Sequence, residues 1–510
     1  MRSLFLLILI IIFGFTVRIF QINELPGEWF GDISNVHEYV TDILQGRWPF
    51  YFLQSPGPVY HYFIIPIVLF FRNQGYETYK VASLTVSLGG VYFIYLFAKE
   101  SAGKKIALIT SLICCFSFWY VVWSRLGNSQ IIIPGLFAYS SYYLIRYLNF
   151  SRISDMAKSI LAASLGWYTY PQTFIIPPLF FIFLLVNLII RRKGRELFRH
   201  LKILFMVTLA GMLFLIPIVK NQNKNMAGNF SSEGYVGEKI MPVLKMSGRE
   251  FWGKLGNNLI KTYSMLHFSG DKTFRVNAAG KTQIDRLSGM FFILGLIYSI
   301  RKFRPVLSVF IIMSLLVLPL PSVSPAIQTA EIPNSARTIA IIPVVYLLVG
   351  CGIWQVFCLF KKYYKYSSAA ILTGVIIAVI GWINLTDYFY AYRKGLPDNN
   401  LGPSRLIASY LDRNLPGNYA LYFGSCCWGE WGEPEPKAIA YQLRKKRKFV
   451  EYGHYLESCR EVKHLPAAVV IGPDDRPLAN KYLLCFSDIG IRKVSKQKGD
   501  VIFNLMLIRK

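Results

Sequence analysis

Charge is scarce and lopsided in this sequence. Only 16% of the 510 residues are charged, and 28 acidic residues stand against 56 basic ones. With 54% of residues hydrophobic and 16% aromatic, a wholly water-soluble fold would lack the polar surface to cover its core. The eight cysteines contain no C-x-x-C pair and no Cys/His spacing suited to zinc. Cys114, Cys115, Cys351 and Cys358 lie in apolar runs, whereas Cys426, Cys427, Cys459 and Cys485 lie toward the C-terminus. Internal repeats and low-complexity tracts are absent. The apolar runs are almost free of charge, which argues against a secondary transporter with paired repeats and charged side chains near the bilayer midplane.

What is present is a series of uncharged stretches long enough for about 30 Å of hydrocarbon. They run from Ser3 to Val17, Val81 to Ala98, Ile106 to Trp123, Leu126 to Ile145, Ile203 to Val219, Thr338 to Phe360 and Ser367 to Thr386. Leu287–Ile300 and Pro305–Leu320 add two more. Ser159–Ile190 is too long for one helix and holds the turn-like Tyr168–Gln172, so it is expected to split in two. About eleven transmembrane helices result. Arg18 and Phe20 follow the first stretch where a small-residue cleavage motif would stand, so an uncleaved helix is expected there. Pro58–Phe71 is apolar but short, and is expected to lie in the interface.

Basic residues cluster in alternate short loops: Lys99, Lys104 and Lys105; Arg146, Arg152 and Lys158; Arg191–Lys202; Arg301, Lys302 and Arg304; Lys361, Lys362 and Lys365. The positive-inside rule puts these in the cytoplasm, the N-terminus with them, and the C-terminal part outside. The net charge of +28 therefore reads as a topology signal, and nucleic acid is not expected as a partner. Two domains follow, a membrane domain over residues 1–387 with outer loops 21–79 and 220–286, and an extracytoplasmic domain over 388–510. The latter alternates helix-like Pro403–Leu415 and Pro436–Lys446 with strand-like Tyr419–Phe423, Ala467–Ile471 and Val501–Ile508, the pattern of a small soluble α/β domain. One or two disulfides among its four cysteines are expected in an oxidising compartment. Trp428, Trp431 and Tyr452 suit either sugar stacking or a small core.

The chemistry-bearing residues fall in the outer segments. Glu28-Trp29-Phe30-Gly31-Asp32 leads through Glu38 and Asp42 to Gly46 and then to Ser55-Pro56-Gly57-Pro58-Val59-Tyr60-His61-Tyr62. Asp32, just past the first helix and among aromatics, suits a general base near the membrane surface, although a lone Asp also suits helix capping. Three further segments are Trp123-Ser124-Arg125-Leu126-Gly127-Asn128, His267–Asn277, and Glu331-Ile332-Pro333-Asn334-Ser335-Ala336-Arg337 followed by Pro343.

In this order the four segments resemble those of the GT-C class of membrane glycosyltransferases, in particular the protein O-mannosyltransferase and aminoarabinose transferase superfamily, over roughly residues 1–390. In that pattern an acidic residue, usually Asp-Glu, stands about fourteen residues before a Gly, as Asp32 does before Gly46. Ile33 replaces the usual Glu, and Asn128, Ser129 and Gln130 replace the acidic residue of the second segment. The resemblance implies an α-helical polytopic membrane fold of GT-C type. It also implies inverting transfer of a sugar from a polyprenyl-phosphate donor to a protein, lipid or glycan acceptor hydroxyl at the outer face. Asp32 is then the catalytic base, and Arg337, Arg275 and Arg125 are candidates for the donor phosphate, in that order. Glu38, His61, His267, Asp271 and Asn277 are candidate substrate-loop residues. No cofactor is required by this scheme, because cationic side chains can stabilise the leaving group; a role for a divalent metal is left open. A lipid-linked glycan polymerase or ligase is the alternative within transferases, and a transporter the alternative outside them. The tail's Cys427–Gly432 lacks a Trp-Trp-Asp type motif, which argues against an oligosaccharyltransferase.

Overall fold

A computed structural model describes residues 2–48, 57–72, 74–218, 220, 241–327, 329–396, 400, 402–424, 435–473, 476–495 and 501–509. Ser55, Pro56, Cys426, Cys427, Trp428 and Trp431 lie outside these. The chain divides into two compact units. The first comprises Met1–Ile22, Tyr39–Asn73 and Thr78–Gly395, and the second comprises Asn23–Glu38, Gln74–Glu77 and Leu396–Lys510.

The first unit is helical. Its elements are α1 (Arg2–Ile19), α2 (Gly31–Leu44, shared with the second unit), α3 (Val59–Phe71), α4 (Tyr76–Ala102), α5 (Lys104–Phe116), α6 (Phe118–Arg125), α7 (Ile132–Phe150), α8 (Ile153–Leu165), α9 (Ile176–Arg191), α10 (Gly194–Met212), α11 (Gly248–Ser264), α12 (Arg286–Lys302), α13 (Pro305–Val317), α14 (Ile342–Tyr363) and α15 (Tyr366–Thr386). Among the described residues six helices are long and apolar enough to cross a membrane, and seven if the bent pair α5–α6 counts as one span. Lipid-facing side chains such as Ile190, Trp382 and Ile371 are exposed, as a bilayer-embedded surface requires. The long apolar stretch after Ser159 divides between α8 and α9, with turns at Gly166–Tyr168 and Pro171–Ile175.

Two packing devices hold these helices. Glycines allow α12 and α14 to touch backbone to backbone, since a Cβ on Gly295 would lie 1.7 Å from the Leu348 carbonyl oxygen and one on Gly352 2.0 Å from that of Phe291. The second device is the 56° bend between α5 and α6 at Ser117. A break inside apolar surroundings frees backbone groups that need partners. Here Arg18 donates to the carbonyls of Cys114 (3.1 Å) and Cys115 (2.6 Å), and Phe118 N–H donates to Asn384 Oδ1 (2.8 Å). The stretch Ile106–Trp123 therefore forms two rods instead of the single one its hydropathy suggests.

The second unit carries a four-stranded sheet in the order β1-β2-β4-β3, with β1 (Ala420–Phe423) parallel to β2 (Ala467–Ile471) and β4 (Val501–Ile508) antiparallel to both β2 and β3 (Ile489–Ser495). Alternate residues face opposite cores. Leu421, Phe423, Ala468, Val470, Leu505 and Leu507 pack with Ile407 and Leu411 of α16 (Pro403–Asn414), whereas Tyr422, Val469, Ile471 and Met506 pack with Leu478 and Tyr482 of α18 (Arg476–Cys485). Burial on both faces explains why β2 reads as a continuous apolar run. Cys459 and Cys485 form a disulfide. The helix expected over Pro436–Lys446 is shorter, α17 (Pro436–Ala440), because Arg444 and Lys445 turn their N–H groups onto the Asp412 carboxylate.

Candidate active site

Three of the four sequence segments, and the Gly57–Tyr62 part of the first, are joined by contacts within the helical unit. Tyr60, at the start of α3, shares a hydrogen bond with Ser83 Oγ (2.8 Å) and donates to the Gly127 carbonyl (3.4 Å). Asn128 Oδ1 accepts from Ser129 N–H (2.8 Å) and so opens the short turn leading into α7. His61 is fully buried against the Tyr39 and Tyr60 rings, at centroid distances of 5.2 and 5.6 Å. Lys80, nearly fully buried on α4, donates to the Ile22 carbonyl at 2.9 Å. The sequence offers no reason to single out this lysine beyond its position immediately before an uncharged run.

Arg125 is fully buried, and its Nη1 donates to the carbonyls of Val17, Arg18 and Phe20 at 3.2, 2.8 and 2.6 Å. These are the orphan carbonyls at the end of α1, so the guanidinium acts as a cap from another helix, where the helix dipole also favours a cation. Its planar face lies over Tyr388 (5.1 Å) and Phe389 (5.4 Å). Tyr388 stacks on Tyr392, whose hydroxyl donates to the Arg275 carbonyl at 2.6 Å. The π-helical turn Asp387–Tyr392 thus lies between the second and third segments, and Lys281 pairs with Asp387 on it.

The third and fourth segments meet at Asp271. This residue is 1% exposed, and its two carboxylate oxygens accept from Thr273 N–H (2.8 Å) and Ser335 N–H (2.7 Å). Burial pushes its carboxyl above the ordinary range, while these two donors oppose the shift. Asn277 Nδ2 donates to the carbonyls of Asp271 and Lys281, both at 2.7 Å. His267 packs against Phe292, and its Nε2 lies 3.3 Å from the Gly289 carbonyl. Asp271 and Asn277 therefore shape the loop, and with it the path to residue 337. Asn334 Oδ1 accepts from the N–H groups of Ala336 (3.1 Å) and Arg337 (3.0 Å). Arg337 Nη2 pairs with Glu331 Oε2 at 3.0 Å, whereas its Nη1 is buried and makes no hydrogen bond among the described residues. Half of a rigid fork is in place, and half is open to an acceptor.

Asp32 and Glu38 belong to the other unit. Asp32 is exposed in the first turn of α2, where helix geometry favours a negative charge. Glu38 Oε1 accepts from Lys437 Nζ (2.8 Å) and Tyr441 Oη (2.7 Å). His37 stacks on Tyr441 at 4.4 Å, and burial lowers its pKa to about 4. Glu28 Oε2 accepts from Ser404 N–H (3.1 Å) at the start of α16, its Oε1 makes no hydrogen bond, and burial pushes its carboxyl up to about 8. A Cβ on Gly31 would lie 2.3 Å from Glu435 Oε1, so a second carboxylate sits against the residue beside Asp32. Sequence reading had no access to Glu435, which arrives from some four hundred residues away. These ties explain why residues 23–38 group with the tail. Tyr452 packs edge-on against Tyr441. Among the described residues no group of three or more His, Cys, Asp or Glu converges as a metal site.

Apolar helices with polar clusters in their connecting loops, and a separate strand-bearing unit, are the parts of a polytopic membrane protein. Residues 55–219 match the family profile of dolichyl-phosphate-mannose-protein mannosyltransferase. Over almost its whole length the chain shares its fold with ArnT from Cupriavidus metallidurans bound to undecaprenyl phosphate, with a TM-score of 0.60 and 12% identity, covering 98% of this chain and 97% of that one. The Archaeoglobus fulgidus oligosaccharyltransferase AglB, in complex with an inhibitory peptide and a dolichol-phosphate, matches with a TM-score of 0.51 and 13% identity over 81% of this chain and 58% of that one. Among curated proteins none matches the sequence. The chain thus shares the fold of these membrane proteins, and residues 55–219 carry the mannosyltransferase profile, which is the resemblance that the order of its four segments implied.

Proposed function

We propose that the protein transfers a sugar from a polyprenyl-phosphate donor to an acceptor hydroxyl, with inversion, at the outer face of the membrane. About eleven spans, a cytoplasmic N-terminus and an extracytoplasmic tail complete this reading. The observation that carries it is Arg337, whose Nη1 is buried, held by a shaped loop and without a hydrogen-bond partner. A buried cationic donor of that kind suits a phosphate oxygen, and the structurally similar ArnT is bound to undecaprenyl phosphate.

In the proposed step Asp32 takes the acceptor hydroxyl proton as the oxygen attacks the anomeric carbon. The bond from that carbon to the phosphate oxygen breaks, oxocarbenium-like charge develops on the sugar, and its counter-charge gathers on the departing lipid phosphate. Arg337 meets that charge. Arg275 is the next candidate, and Arg125 recedes because Nη1 already serves the end of α1. Glu38, His61, His267, Asp271 and Asn277 support loops in this scheme. No step requires a metal.

The test is transfer of radiolabelled sugar from a panel of polyprenyl-phosphate monosaccharides into membrane fractions, comparing the native protein with Asp32→Asn at matched expression. Donor-dependent labelling that disappears in the variant supports the proposal and identifies the sugar. Labelling only from diphosphate-linked oligosaccharides points instead to a glycan polymerase or ligase. Full activity in Asp32→Asn removes Asp32 from the mechanism.

A further inference from the structure

A polar cavity of about 210 Å³ lies at the other end of the helical unit, lined by Glu100, Ser101, Asn149, Lys302 and Arg304. Aliphatic side chains of α7 and α13 close its sides. Three helices fix its location. Along α4 from Ser83 to Glu100, along α7 from Ile132 to Asn149, and along α12 from Asp285 to Lys302, about seventeen residues separate the candidate active-site end from the cavity, or ~25 Å at the helical rise. That distance approaches the thickness of the hydrocarbon core. The cavity therefore sits at the opposite membrane boundary, where the chain carries its basic loops.

Its polar groups are ordered. Asn149 Nδ2 donates to Glu100 Oε1 (2.8 Å), and Arg304 Nη1 donates to Asn149 Oδ1 (3.0 Å), so one amide bridges the carboxylate and the guanidinium. Lys302 forms no ion pair with any described carboxylate. Arg304 also stands at the N-cap of α13, where the helix dipole favours an anion. Two cations against one carboxylate leave a single positive charge, which one phosphodiester neutralises. Basic pockets between helices at a membrane boundary take anionic lipid head groups.

We propose that this cavity binds the phosphodiester head group of an anionic phospholipid from the leaflet at the basic-loop end. The phosphate lies between Lys302 and Arg304, a head-group hydroxyl meets Glu100, and the aliphatic wall receives the glycerol backbone. This site is separate from the donor site, and its test does not depend on transferase activity. Full-length protein is placed in phosphatidylcholine nanodiscs containing phosphatidylglycerol, and lipid retained after extraction is counted by native mass spectrometry. Retention of phosphatidylglycerol over phosphatidylcholine is expected, falling about fivefold for Lys302→Gln and again for Arg304→Gln, equivalent to ~1 kcal/mol per basic residue. Lys302 is exposed, so its variant stays informative if loss of Arg304 disturbs folding. Unchanged retention in Lys302→Gln and in the double variant overturns the proposal. Displacement of phosphatidylglycerol by millimolar inorganic phosphate also overturns it, assigning the cavity to the free anion.

Discussion

Arg125 and Arg337 both come from sequence segments that offer an arginine to a phosphate, yet the fold uses them differently. Arg125 is fully buried with Nη1 on three carbonyls at the end of α1. Arg337 holds Glu331 with one nitrogen and leaves a buried second one without an acceptor. A guanidinium whose terminal nitrogen is engaged by a helix end is scaffold, whereas one whose terminal Nη1 meets no acceptor among the described residues suits a ligand. On α2, Glu38 is engaged by Lys437 and Tyr441, and Asp32 lies exposed in the first turn.

Substitution can break or sharpen this contrast. The largest effect is expected for Asp32→Asn, which should lower donor-dependent transfer by about 10²- to 10⁴-fold while the thermal melt stays unchanged. Arg337→Gln should lower transfer by about 10²- to 10³-fold, the usual loss for one donor to a developing oxyanion, again without loss of folded protein. Arg125→Ala should do the reverse, reducing the folded yield and the melting temperature, because each buried carbonyl left unpaired costs about 1–3 kcal/mol. Arg125→Lys should not restore stability, since an ammonium has no planar fork. If Arg337→Gln lowered the melt as much as Arg125→Ala, the distinction between the two would collapse.

Glu28 gives a smaller effect, read through pH. Its carboxyl holds a proton up to about 8 in the fold, against 4.5 when exposed. The folded state therefore binds more protons over that interval, and stability should fall as pH rises through it. His37, lowered to about 4, acts in the opposite sense, since it is protonated more in the unfolded chain and adds stability as pH rises toward neutrality, so the comparison with Glu28→Gln isolates the carboxyl. Glu28→Gln should flatten the slope. Glu38→Gln should change transfer only a few-fold, because its partners are side chains of the same unit; a loss as large as that for Asp32→Asn would move Glu38 into the reaction.

The apolar helices were legible because a helix in lipid needs a long uncharged run and leaves basic residues at its ends. The bend at Ser117 was not, since neither proline nor glycine marks it and its partners, Arg18 and Asn384, come from other helices. Strands β1, β2 and β4 announce themselves as apolar runs. Strand β3 escaped notice because it is an edge strand carrying Arg492 and Lys493, the charges that keep an exposed edge from pairing. In the candidate site, the order of the four segments picked out loops that contacts join in the fold. It did not show that Asp271 ties two of them together, nor that Glu435 reaches Gly31.

By itself the sequence determined the membrane as solvent, the apolar helices and the resemblance to the GT-C class, because these depend on composition and on the local spacing of charge along the chain. Only the tertiary structure decided which charged groups are structural and which have an unmet hydrogen-bond donor. A side chain's occupation depends on backbone groups brought to it from distant segments, and neither its own type nor its neighbours in sequence encode which carbonyl or amide will arrive.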